Sequence, residues 1–172
     1  MGVTIHFEGR LRNRAAMADL LRFARQFAEE RGWLTDEIAE ANVKLLRVDE
    51  NEKDWDYVGP VSGLKLLPGN DCEPINLEFD KNLYLQEWTK TQFAGAEMHV
   101  TICNFFRAIG HYFETFRVND ESEYWDTGDV ALLKSYLANC DRSISEHLKE
   151  HPTAKVKVRE PDGRITDVIT YN

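Results

Sequence analysis

His6 and Glu8 stand two residues apart in a segment where Val3, Ile5 and Phe7 alternate with Thr4, His6 and Glu8. That period belongs to a half-buried strand, so imidazole and carboxylate share its polar face, where they could hold a metal ion or share a proton. Two donors do not make a metal site, and a third would have to come from His99, Glu78 or Asp80. His99 and Cys103 are spaced i, i+4, which places both on one helical face, yet no Glu follows His99 to complete an HExxH pattern. A Cys103 nucleophile would need a base and an electropositive, partly open setting, and neither is visible in the sequence. Surface-facing strand residues for the first pair, and a packed pair at the core edge for the second, are the simpler readings.

Trp88, Lys90, Thr91 and Gln92 precede a predicted helix. A helix N-terminus beside a lysine can hold a carboxylate or a phosphate. The simpler account has Thr91 capping a turn and Lys90 solvated. Gly95 is the one glycine nearby, so a phosphate-cradling loop is not expected.

Asn119 to Asp129, NDESEYWDTGD, places five carboxylates around Tyr124 and Trp125 with no Lys or Arg. The spacing of Asp120, Glu121, Glu123 and Asp126 lacks the central Gly and terminal Glu of a calcium loop. Two readings stand: Trp125 anchors the loop on the core, or Glu121, Glu123, Tyr124, Trp125 and Asp126 contact a basic partner. Asp129 sits where a carboxylate caps the next helix.

The formal net charge of −9 over 172 residues is concentrated. Asp49 to Asp56 carries five acids, Asp71 to Asp80 four and Asn119 to Asp129 five, leaving the rest slightly positive. Such segments repel phosphate backbones and attract cationic protein faces, so nucleic acid is not expected as a partner and a protein with a basic face is. Three cysteines cannot all pair within the chain, and none has metal-ligand spacing, which suits reduced thiols in the cytoplasm. No apolar leader or membrane-length apolar run is visible, so no membrane association is expected.

These residues require elements to position them. Asn13 to Arg31 has helical periodicity, with Asn13 as N-cap and Gly32 as stop. Val43 to Val48, Gly63 to Leu67 and Pro74 to Asp80 read as strands of an antiparallel meander, the first two separated by a loop, DENEKDWDYVGP. Asn82 to Lys90 reads as brief helix or irregular chain. A Phe-rich helix is predicted from Gly95 to Phe113, then a short strand at Thr115 to Val118, and a third helix from Asp129 to His151. A terminal hairpin turns at Pro161, Asp162 and Gly163. The order β-α-βββ-α-β-α-ββ over residues 1–172 indicates one α+β domain, an antiparallel sheet packed by three amphipathic helices.

The run LEFDKNLYLQEWTKTQFAG, Leu77 to Gly95, followed by DESEYWDTGD, resembles an uncharacterised bacterial family of small cytosolic proteins. The resemblance covers most of the chain and implies no activity. It marks KTQFAG and EYWDTGD as more than connectors.

The residues together favour binding over catalysis: an acidic binding or regulatory protein, of an immunity or inhibitor kind, that engages a basic partner through acidic aromatic loops. No cofactor is expected, and the oligomeric state is left open. The second reading is a small-molecule or metal-binding protein, extending to a hydrolase, with a polar site near His6, Glu8, Lys90 and His99.

Overall fold

β1 (Thr4–Leu11) buries Ile5, Phe7 and Leu11 on one face and turns His6, Glu8 and Arg10 to the other. That alternation makes it the middle strand of a sheet with order β5-β1-β6, in which β5 is Tyr84–Lys90 and β6 is Phe113–Asp120. Both neighbours run antiparallel to it. The computed structural model describes residues 2–171 and is an α+β fold, with four helices and three antiparallel sheets among the described residues.

Helices α1 (Arg14–Glu30) and α2 (Ala96–Ile109) cover the apolar face. Phe7 and Phe106 approach to 4.5 Å between ring centroids, and Phe27 and Phe105 to 5.0 Å, tilted as ring quadrupoles prefer. The predicted caps are present: the Asn13 side chain accepts from Ala16 N, and Gly32 has φ 69°, a conformation that glycine adopts without strain. The Phe-rich helix stops earlier than expected. A 3₁₀ turn, Gly110–Tyr112, follows it, and Phe113 opens β6.

The second sheet is the expected meander, β2-β3-β4, with β2 at Leu34–Val48, β3 at Asp54–Leu67 and β4 at Ile75–Phe79. Two of its strands are much longer than their apolar cores. Residues 34–42, left unassigned by the sequence, and 54–60, read there as loop, are also strand; most of them are exposed, where backbone pairing needs no apolar face, although Tyr57 is buried. A register shift between Glu40 and Val43 bends the β2–β3 ribbon. The tip is then a short turn in which the Asp49 side chain accepts from Asn51 N and Lys53 N at 2.8 and 2.9 Å.

Residues 82–90, read as helical or irregular, are instead the end of a turn and then β5. The Asp80 side chain accepts from Asn82 N and Tyr84 N, and Leu83 takes φ 61°. The strand was hidden because its inward face includes Glu87 and Thr89, so its alternation is not one of hydropathy.

Beyond β6 come a one-turn α3 (Tyr124–Thr127) and a long α4 (Val130–Glu150) capped by Asp129, whose side chain accepts from Leu132 N. The terminal hairpin, β7 (Lys155–Arg159) and β8 (Ile165–Ile169), turns where predicted. It is fastened by charge: Arg159 Nη2 donates to the carbonyls of Gly69 and Cys72 at 3.2 and 3.0 Å, and Lys90 Nζ meets Asp167 at 2.7 Å. Among the described residues no helix is long and apolar enough to cross a membrane.

Candidate functional site

Where β6 runs out, the Asp120 carboxylate is buried and fully bonded. Oδ1 accepts from Ser122 N and Ser122 Oγ, both at 2.8 Å, and Oδ2 from Trp125 N at 2.9 Å and His99 Nε2 at 3.0 Å. The other imidazole nitrogen, Nδ1, lies 2.7 Å from Thr91 Oγ1, and Thr91 N donates to Val3 O. The start of β1, the end of β5, α2 and the acidic segment therefore meet in one polar junction, in which Thr91, His99 and Ser122 have no exposed surface. Burial would raise the Asp120 pKa, but the His99 hydrogen bond and charge, with the N–H groups of Ser122 and Trp125, outweigh it and hold the carboxyl below its ordinary 3.8.

His99, Cys103 and Asp120 also present donor atoms within 4.8 Å of one another, the one such set among the described residues. Their chemistry suits a structural junction better than a metal centre. The His and Asp donors already bond each other, and burial pushes the Cys103 thiol up to about 12, far from the thiolate a metal or a nucleophile requires. Burial likewise pushes Cys72 up to about 12.

The acidic aromatic segment is thereby largely consumed by the fold. Asp120 is internal; Glu121 accepts from Thr4 N at 3.0 Å and lies 3.2 Å from His6 Nε2; Asp129 caps α4. Tyr124 packs edge-on to His99, and half-buried Trp125 carries the Arg107 guanidinium 4.1 Å from its ring centre. Trp125 is an anchor, and Glu123 and Asp126 remain exposed.

On the opposite face of the β5-β1-β6 sheet the register sets three rows side by side: Trp88, His6, Asn119; then Gln86, Glu8, Arg117; then Tyr84, Arg10, Thr115. The tip of the β2–β3 hairpin folds over one side and makes this face concave. Gln86 docks it, its side-chain amide accepting from Val48 N and donating to Val48 O, both at 2.8 Å. Arg47 is the second fastening. Its side chain is buried, donates to Gln86 O at 3.0 Å, lies 3.9 Å from buried Asp80 and sits 5.4 Å from the Tyr84 ring centre.

Because Arg47 points inward, its neighbours Leu46 and Val48 point out, 67% and 42% exposed. With Trp88 they line a cavity of about 470 Å³ that includes His6, Glu8 and Gln86. An adjoining cavity of about 770 Å³ adds Trp55, Tyr84, Arg10, Asp49, Glu50 and Glu52, and both share Glu8, Gln86, Arg117 and Asn119. They form one groove. Behind it, burial pushes the Glu87 carboxyl up to about 7; Arg164, 2.8 Å away, pulls against that shift without cancelling it, and Glu78 adds to it. Arg164 in turn lies 3.9 Å from the Trp88 ring centre.

The residues singled out in the sequence therefore separate. His6, Glu8 and Trp88 lie on the groove, whereas His99 is sealed on the other side of the sheet, so the structure does not bring His6, Glu8 and His99 together. Glu78 and Asp80 supply no third donor beside His6 and Glu8 within ligand range. Lys90 is occupied by Asp167 and Ile165 O, and Gln92 is buried with its carbonyl accepting from Val3 N and its amide nitrogen without a partner among the described residues, so the lysine of the anion site expected there is already paired within the fold. Sequence reasoning missed Leu46, Val48, Trp55, Gln86 and Arg117. The sequence marked the open face only on β1, through its even-numbered residues, and none of these five lies on that strand.

No family model, curated protein or solved structure matches the chain.

Two measurements check this electrostatics. Asp120→Asn is expected to cost about 1–3 kcal/mol, since it replaces the buried carboxylate that accepts from His99 Nε2 and from Ser122 N and Trp125 N. Because the folded pKa lies below 3.8, the carboxylate's contribution is full above that value and fades as pH falls through the folded pKa; urea unfolding at about pH 7 and pH 3 should show wild type losing this term and the variant having none to lose. Glu87 has the opposite sign. Its folded pKa of about 7 exceeds the ordinary 4.5, so stability from this group falls as pH rises between those values. Glu87→Gln should match wild type near pH 4.5 and exceed it above 7 by up to an order of 3 kcal/mol.

Proposed function

We propose that the protein is a non-enzymatic binding protein that holds a basic segment of another protein in the groove between the hairpin tip and the open face of the β5-β1-β6 sheet. One observation carries this reading. Around position 47 the strand is inside out: a guanidinium is buried while the flanking Leu46 and Val48 stand in solvent. Burying an arginine with a single carboxylate 3.9 Å away is costly, and exposing two aliphatic side chains gains nothing for folding. The arrangement makes sense if those side chains, with Trp55 and Trp88, both 44% exposed, meet a partner.

Charge supports a basic occupant. Asp49, Glu50 and Glu52 rim the larger cavity and Glu8 lies on its floor, which with Asp80 makes five carboxylates against Arg10 and Arg117. The hairpin tip suits the acidic aromatic recognition surface expected from the sequence better than Asn119 to Asp129 does. In that segment packing and capping occupy Asp120, Tyr124, Trp125 and Asp129, and of the carboxylates named for that surface only Glu123 and Asp126 lack a bond to the backbone of the described residues. Acids around an apolar centre favour fast, salt-sensitive association, as regulatory and inhibitory contacts use.

Panning a phage-displayed library of random dodecapeptides against the protein tests the reading. Selected peptides should combine Arg or Lys with aromatic or aliphatic residues and bind more weakly as salt is added. Trp55→Ala and Trp88→Ala should each weaken them by about ten-fold or more, while Glu123→Gln with Asp126→Asn leaves affinity unchanged. Binders indifferent to both tryptophans would contradict it.

A further inference from the structure

The carboxylate at the centre of the groove floor is occupied on one side only. Glu8 Oε2 accepts from the Tyr84 hydroxyl at 2.8 Å and from Gln86 Nε2 at 3.0 Å. Burial, reinforced by Glu8 itself, pushes the Tyr84 phenol up to about 12, so it remains a proton donor at neutral pH. The other oxygen, Oε1, has Arg117 Nη1 as its ion-pair partner at 3.6 Å, beyond hydrogen-bond length, and that arginine side chain is 70% exposed. Two fixed donors thus orient the Glu8 carboxylate, while its second oxygen is left with a distant, solvated cation.

Beside Glu8 the wall is apolar, formed by Leu46, Val48 and the Trp88 ring. Trp88 already takes the Arg164 guanidinium at 3.9 Å from its ring centre, which shows what the indole accommodates. A flat, weakly hydrated cation on an aliphatic stem matches these neighbours better than a compact, strongly hydrated ammonium. We infer that Glu8 is the floor of a subsite for an arginine side chain of the partner, whose guanidinium bonds Oε1 in place of Arg117 while its stem lies along Leu46 and Val48. The inference rests on the groove reading above and names the side chain that reading leaves open. Arg117 is then an internal competitor.

The probe is N-acetyl-arginine N-methylamide, titrated into the full-length ¹⁵N-labelled protein alongside the lysine and citrulline equivalents. The arginine compound should shift the Gln86 side-chain amide and the Trp88 indole N–H. Citrulline, of the same shape without charge, should not, and lysine should bind several-fold more weakly. Glu8→Gln should reduce affinity for the arginine compound by about ten-fold. Arg117→Ala changes an exposed side chain that the fold does not need, and it should tighten binding by about three-fold by removing the competitor. Equal shifts from citrulline, weaker binding in Arg117→Ala, or no shift at Gln86 and Trp88 would overturn the subsite. If the arginine compound fails while selected peptides still require Trp55 and Trp88, the subsite is wrong and the groove stands. Peptides that ignore both tryptophans remove the groove itself.

Discussion

Burial of the Asp120 carboxylate organises the molecule around it. A charge withdrawn from water needs several donors at once, and here they come from three places: His99 on α2, Ser122 within the turn after β6, and the backbone of Trp125. Through Thr91 the same junction reaches the first residues of β1. One sheet end, one helix and one loop are locked in register by a cluster with no exposed surface on its histidine. The consequence is indirect: Asp120, Glu121 and Asp129 of a segment that looked like an acidic recognition loop are bonded within the fold, and the groove lies on the far side of the sheet.

That far side gains its shape from a second buried charge. With the hairpin tip against β5, the buried Arg47 donates from Nη1 to Gln86 O, while Nη2 stays 3.9 Å from Asp80 without a hydrogen bond among the described residues. Gln86 completes the docking by pairing with the Val48 backbone as a neighbouring strand would. The same amide holds Glu8. Hairpin position, groove shape and the orientation of the floor carboxylate are therefore coupled through one glutamine, and a change at any of them is felt by the others.

Much of the fold was legible in the sequence. β1, the cap of α1, the N-cap of α4 and the terminal turn follow from hydropathy and from local hydrogen-bond chemistry in the residues themselves. Of β2 and β3 only Val43–Val48 and Gly63–Leu67 were legible; the remaining stretches, mostly exposed, and β5, which turns Glu87 and Thr89 inward, do not show hydropathy of strand period. The candidate site was half legible. His6 and Glu8 announce an open strand face, but hydropathy places Leu46 and Val48 in a core and Arg47 in solvent, the reverse of what a buried guanidinium imposes. His99 was linked to His6 and Glu8 by residue type alone, and the sheet separates them.

The central claim, that the groove and not the Asn119 to Asp129 segment is the recognition surface, is tested most directly by the indole N–H resonances. The chain has four tryptophans, at 33, 55, 88 and 125, and the last two candidate surfaces divide them. Trp55 and Trp88 line the groove, Trp125 anchors the acidic segment, and Trp33 packs on Phe27. When a selected basic peptide is titrated in, Trp55 and Trp88 should move while Trp33 and Trp125 stay still. Movement of Trp125 with Trp55 and Trp88 unmoved would contradict the account.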